Sequence, residues 1–124
     1  LAVEFPNALL AGASYWDFAA EDTASILEGK LKRVGHACEF ETSLMLRLRP
    51  DLVKTSEMAD GGLNLDPVLL RNVFIPLDMK RQTPQGGTGQ PTLATSQKGE
   101  KLLAAVVANG IKVIQTLRSQ PIRP

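Results

Sequence analysis

The stretch GHACEFETSLMLRLRP, Gly35–Pro50, carries the chain's single histidine, His36, its single cysteine, Cys38, and two carboxylates, Glu39 and Glu41, at the head of an apolar run. Gly35 interrupts the pattern before it, and Arg49 precedes Pro50, whose ring disfavours helical geometry at the residue ahead of it. A helix from about Glu39 to Leu48 is therefore predicted. Its N-terminus leaves free N–H groups and the positive end of a dipole beside His36, a setting that suits a developing oxyanion or a bound carboxylate. An imidazole there exchanges protons near neutral pH, and Glu41 in the first turn can fold back to orient it or a substrate. That arrangement fits acyl-group hydrolysis. The same spacing also describes a hydrogen-bonded boundary histidine next to an acid that serves the helix dipole. Cys38 has no second histidine to act as its base, so it reads as a small buried hydrophobe ahead of a nucleophile.

Working outward, Leu1–Phe5 and Ala8–Trp16 read as extended segments, and Ala19–Lys30 as a helix stopped near Gly29. Asp60, Gly61 and Gly62 mark a turn, and Asn72–Leu77 is a short β-type run that Pro76 demotes to an edge. Gln82–Thr95, with three glycines and two prolines, is a loop. A long helix follows, with Ser96 as N-cap and Leu103, Val106, Val107, Ile114 and Leu117 at helical spacing, ending before Pro121. Gly110 inside it is unfavourable by about 1 kcal/mol against alanine, so a close approach to another backbone is expected there. Strands alternating with helices predict an α/β layered fold with a parallel sheet. The two or three strands visible are too few to protect such a sheet, which is incomplete in this chain alone.

Composition sets the outer limits. At 124 residues, 44% hydrophobic and 22% charged, the chain is sized and composed for one small globular domain. A net charge of +1 gives no broad field for nucleic acid or an acidic membrane, and no apolar run approaches the roughly 20 residues of a membrane span. One cysteine and no basic leader lead us to expect a cytoplasmic setting. The start at Leu1 inside an apolar pattern raises the expectation of a processed piece, a subunit or a truncated chain. One His and one Cys cannot furnish a zinc site unaided. GGTGQPT, Gly86–Thr92, lacks the GK[ST] ending of a phosphate-binding loop and reads as a surface loop or rim. Tyr15 and Trp16 serve equally as a pocket wall or as core.

GHACEFETSLMLRLRPDLV, Gly35–Val53, resembles a segment of the creatininase (creatinine amidohydrolase) family that reads Gly-His-Ala-Gly, a short gap, Glu-Thr-Ser, an apolar helix and a Pro-Asp/Glu-Leu-Val exit. TPQGGTGQPTLATSQKGEKLL, Thr83–Leu103, is similar to that family's Thr-Pro, Gly, Gly-Asp-Pro-Thr-Leu-Ala and Lys-Gly-Glu sequence ahead of the C-terminal helix. SYWDF, Ser14–Phe18, is a third, looser match. The resemblance implies a metal-dependent amidohydrolase acting on a cyclic amide such as creatinine or a related small amide, or, in other members, on formamides and peptides. It also implies a parallel-sheet α/β fold and an oligomer, often hexameric. By motif position His36 is the substrate-contacting acid/base and Glu41 the acid of the Glu-Thr-Ser triplet. Trp16 then matches an aromatic that closes over the substrate, and Cys38, where the family usually has glycine, narrows the loop around His36. Gln90 replaces a usual aspartate. The family's metal ligands, a Glu-x-His pair, an aspartate and a further His-containing segment, lie in its N-terminal half and have no counterpart here. Residues 1–124 are therefore expected to be the C-terminal half of one domain. The divalent ions (zinc, manganese or iron) then belong mainly to an N-terminal half or companion chain, in a homo- or hetero-oligomer. A non-catalytic assembly subunit is the alternative outside enzymes.

Overall fold

The computed structural model describes residues 4, 5, 7–62 and 78–121. A 3₁₀ turn at Tyr15–Ala19 runs into helix α1, Ala20–Ile26, followed by α2, Glu39–Leu48, a short α3, Met79–Gln82, and a long α4, Ser96–Arg118. Further 3₁₀ turns occupy Pro50–Leu52, Thr55–Glu57 and Pro91–Leu93. None of the described helices is long and apolar enough to cross a membrane.

Helix α2 begins and ends where its punctuation directs. Glu39 and Glu41 sit in its first turn and Arg47 in its last, matching the helix dipole at both ends. Helix α4, about 34 Å long at 1.5 Å per residue, packs along α2 and against the Tyr15–Ala19 turn. Between them lies the core: Ala19, Leu27, Cys38, Phe40, Leu44 and Leu102, flanked by Ile26, Val34, Leu103, Ala105 and Val106.

Several expectations are corrected. The strand predicted over Ala8–Trp16 is not formed: its end turns into 3₁₀ helix and Leu9 and Leu10 stay about half exposed. A strand needs a neighbour to pair its backbone groups, and the described residues put none beside it. The sole β pairing among them is an antiparallel bridge between Gly61 and Gly89, so the expected parallel sheet has no counterpart there. The predicted strand at Asn72–Leu77, and positions 1–3 of the segment Leu1–Phe5, lie outside the described residues. Helix α1 stops at Ile26 rather than Lys30 because the Glu28 and Gly29 N–H groups donate to the Glu39 carboxylate, at 3.0 and 2.8 Å, and not to helical carbonyls. The N-cap of α4 is Thr95, not Ser96. Thr95 is the last extended residue, and its hydroxyl accepts from the Lys98 N–H at 3.2 Å.

The close approach expected at Gly110 occurs at Gly99. A Cβ on Gly110 would meet only the Phe18 ring, at an ordinary 3.5 Å. A Cβ on Gly99 would overlap the Ser43 carbonyl of α2, 2.7 Å from its carbon, and lie 2.8 Å from Arg47 Cβ. Gly99→Ala should accordingly reverse the usual sign of a helix Gly→Ala change. In place of a gain of about 1 kcal/mol, we expect a loss of about 1–3 kcal/mol from overpacking, seen as a lower urea midpoint. A midpoint equal to or above that of the parent would show that α2 and α4 can separate without penalty.

Candidate functional site

The residues before α2 form a tight turn in which His36 and Ala37 have both backbone groups engaged. Gly35 N–H donates to Cys38 Sγ at 3.2 Å, His36 N–H to Thr88 Oγ1 at 2.8 Å, and Thr88 N–H to the His36 carbonyl at 2.6 Å. Ala37 adopts φ +46°, a left-handed conformation uncommon for a residue with a Cβ. Its N–H donates to Glu41 Oε2 at 2.6 Å and its carbonyl accepts from Thr42 Oγ1 at 3.2 Å. Glu41 does fold back from the first turn, as its spacing allows, but onto the Ala37 amide and not onto the imidazole. The result resembles a capping box displaced by one residue. His36 itself is exposed.

Beside this turn opens a groove of about 760 Å³ between α2 and the segments that follow it. Tyr15, Ala37, Glu41, Thr42 and Gln85 contribute its polar or backbone wall, and Leu44, Met45, Leu48, Leu52 and Met58 much of the rest. His36, Trp16 and Cys38 are not part of that wall. Trp16, 37% exposed, meets Tyr15 edge-on with centroids 5.1 Å apart. Tyr15 is thus the aromatic that faces the groove, one position before the residue singled out by sequence. Burial, then the nearby Glu41 carboxylate and Cys38, push its phenol above the ordinary 10.0, so at neutral pH it is a hydrogen-bond donor. Cys38 is 2% exposed within the core, where it supports the turn from inside.

Sequence reasoning missed the pair that ties this turn to the rest of the molecule. Glu39 and Lys98, 2% and 9% exposed, meet at 2.6 Å. Glu39 also accepts the Glu28 and Gly29 amides, while the Lys98 ammonium reaches the Leu93 carbonyl at 2.6 Å and the Glu28 carboxylate at 3.2 Å. Burial alone would raise the Glu39 carboxyl, but the ammonium and the two amides outweigh it and hold it below the ordinary 4.5. Burial likewise opposes the Lys98 charge, and its bonds to Glu39 and Glu28 prevail, keeping it above 10.5. Among the described residues no group of three or more His, Cys, Asp or Glu side chains could hold a metal ion.

A family model for creatininase, described as creatinine amidohydrolase, matches residues 1–114. The chain belongs to the creatininase family. A curated creatinine amidohydrolase of Pseudomonas putida is 38% identical over 99 residues, which cover 76% of this chain and 36% of that protein. A solved structure of a candidate creatinine amidohydrolase from Bacteroides fragilis NCTC 9343 superimposes with a TM-score of 0.79 at 25% identity. That match covers 99% of this chain and 48% of the other. This creatininase-family chain therefore spans about a third of the length of the first relative and about half of the second. The likeness read from Gly35–Val53 and Thr83–Leu103 is a family relationship, and those two segments are the ones that Thr88 and Lys98 fasten together.

Proposed function

We propose that this chain contributes the proton-transfer side of a creatininase-type amidohydrolase acting on a small amide, with a cyclic amide such as creatinine as the leading substrate class. The observation that carries the reading is the His36 turn: an exposed histidine on a backbone fixed at His36 and Ala37, beside a groove, in a chain whose family match runs through it. His36 takes a proton from the attacking water and delivers it to the amide nitrogen as the C–N bond breaks. Glu41 holds Ala37 and so the turn, and the Tyr15 hydroxyl, kept protonated, is placed to donate to a polar group of a bound amide. The divalent metal implied by the family does not fit the described residues. We assign it to the remaining part of the family fold, on the same polypeptide or a companion chain, which also completes an oligomer.

The test is hydrolysis by the assembled protein. Creatinine, formamides and short peptides would be offered with zinc, manganese or iron supplied, and metal content measured alongside. Metal-dependent cleavage of one of these classes supports the reading and names the substrate. An assembly that retains no divalent metal and cleaves none of them would favour a non-catalytic assembly role.

A further inference from the structure

The glycine-rich loop is left over by the functional reading, and its hydrogen bonds say what it does. Two consecutive amides that could have cradled a phosphate are already spent: Thr88 N–H on the His36 carbonyl and Gly89 N–H on the Gly61 carbonyl, both at 2.6 Å. Thr88 is 8% exposed, and its hydroxyl accepts the His36 N–H. One residue thus grips His36 on both sides of its Cα. Gly35 makes room for that grip, since a Cβ there would overlap Thr88 Oγ1 and come within 3.3 Å of the Thr88 carbonyl oxygen. Behind Thr88, Gly89 at φ +98° is anchored by its two-way bridge to Gly61, a conformation that glycine adopts at no steric cost.

We propose that Thr88 is a positioning residue for His36, acting through the histidine's own backbone, and that the glycine-rich loop is the seat of the His36 turn and not a nucleotide cradle or lid. The proposal rests on the reading of His36 as the proton-transfer group. Its physical basis is that the left-handed Ala37 persists only where the surroundings over-determine it. Glu41 and Thr42 hold that strained residue by its N–H and its carbonyl, and Thr88 holds the residue before it. The imidazole carries no side-chain hydrogen bond of its own among the described residues, where its backbone is what is held.

The experiment compares Thr88→Val, which keeps the volume and loses Oγ1, with Thr88→Ser, which keeps Oγ1. In the assembled protein, amide hydrogen exchange is followed at His36 and along α2 and α4, together with the NMR resonance of this chain's single imidazole. With valine, His36 exchange should accelerate several-fold, up to about tenfold, the scale set by one lost net hydrogen bond, and the imidazole resonance should move. Protection in α2 and α4 should stay unchanged, kcat should fall with KM nearly constant, and serine should restore each readout. Unchanged His36 exchange with valine, or a serine variant that behaves like valine, would overturn the proposal. Should valine strip protection from the helices as well, Thr88→Ala removes Oγ1 without the added methyl and is judged by the same readouts. Failure of the parent assembly to cleave any amide would remove the functional reading alone, since exchange and resonance still decide what Thr88 holds.

Discussion

On the proposed amidohydrolase reading, replacing His36 with alanine should lower kcat of the assembled protein by about a hundredfold or more while leaving any bound metal unchanged, the range that a positioned acid/base commonly supplies. The size of the effect follows from the state of two nearby titratable groups among the described residues. The Glu41 carboxylate is committed to the Ala37 amide at 2.6 Å, and withdrawing it would release the strained turn. The Tyr15 phenol is raised by burial and by Glu41, so it holds its proton tightly and neither accepts nor releases one readily at neutral pH. Because His36 is exposed, removal of its side chain leaves the core intact and the thermal midpoint should hardly move. Steady-state kinetics with paired metal analysis check this, and turnover equal to that of the parent would take His36 out of the mechanism.

Lys98→Met should destabilise the fold by about 3–5 kcal/mol at neutral pH, because it leaves the Glu39 carboxylate buried without its cation. The pH dependence carries the signature. In the parent, the Glu39 carboxyl is depressed below 4.5, so between its folded and unfolded values the unfolded chain binds more protons. The stabilisation is full above about 4.5 and is lost as pH falls through the depressed value. Lys98, raised above 10.5, contributes fully below 10.5 and loses its contribution as pH rises through the folded value. In the variant the carboxyl no longer faces an ammonium and its folded value rises, which reverses the acid limb. The gap between the two proteins should therefore narrow toward pH 4, and Glu39→Gln combined with Lys98→Met should recover part of the loss. Urea titrations across pH measure this. A gap that stays constant from pH 4 to 8 would mean that the pair contributes packing and no electrostatics.

What the sequence disclosed divides by range. The bounds of α2 were legible because Gly35 and Pro50 act on their immediate neighbours. The family motifs were legible for the same reason, since each occupies one continuous stretch. Long-range facts were not. Nothing near Glu39 marks it as the partner of a lysine 59 residues away, and an acid in a first turn has a sufficient local explanation in the dipole. A helical glycine signals that something small is needed without saying which of two will touch a backbone, and Gly99 did so while Gly110 met a ring. Apolar ALLAGASYW matched a strand locally, yet strand formation depends on a neighbour that the local pattern cannot supply. Tyr15 and Trp16 were both visible, and a 3₁₀ turn rather than a strand decided which of them faces the groove.

The grip of Thr88 on His36 spans 52 residues of sequence, and this has a consequence for the order in which the molecule assembles and comes apart. Closing so long a segment carries an entropic penalty that only the already packed α2 and α4 can offset. The turn is then set late in folding and released early, by local opening of the glycine-rich loop that leaves the helices standing. Heat should thus release the His36 turn some degrees before it erases the helical signal, with recovery on cooling, in the manner of a latch that opens while the door stays hung.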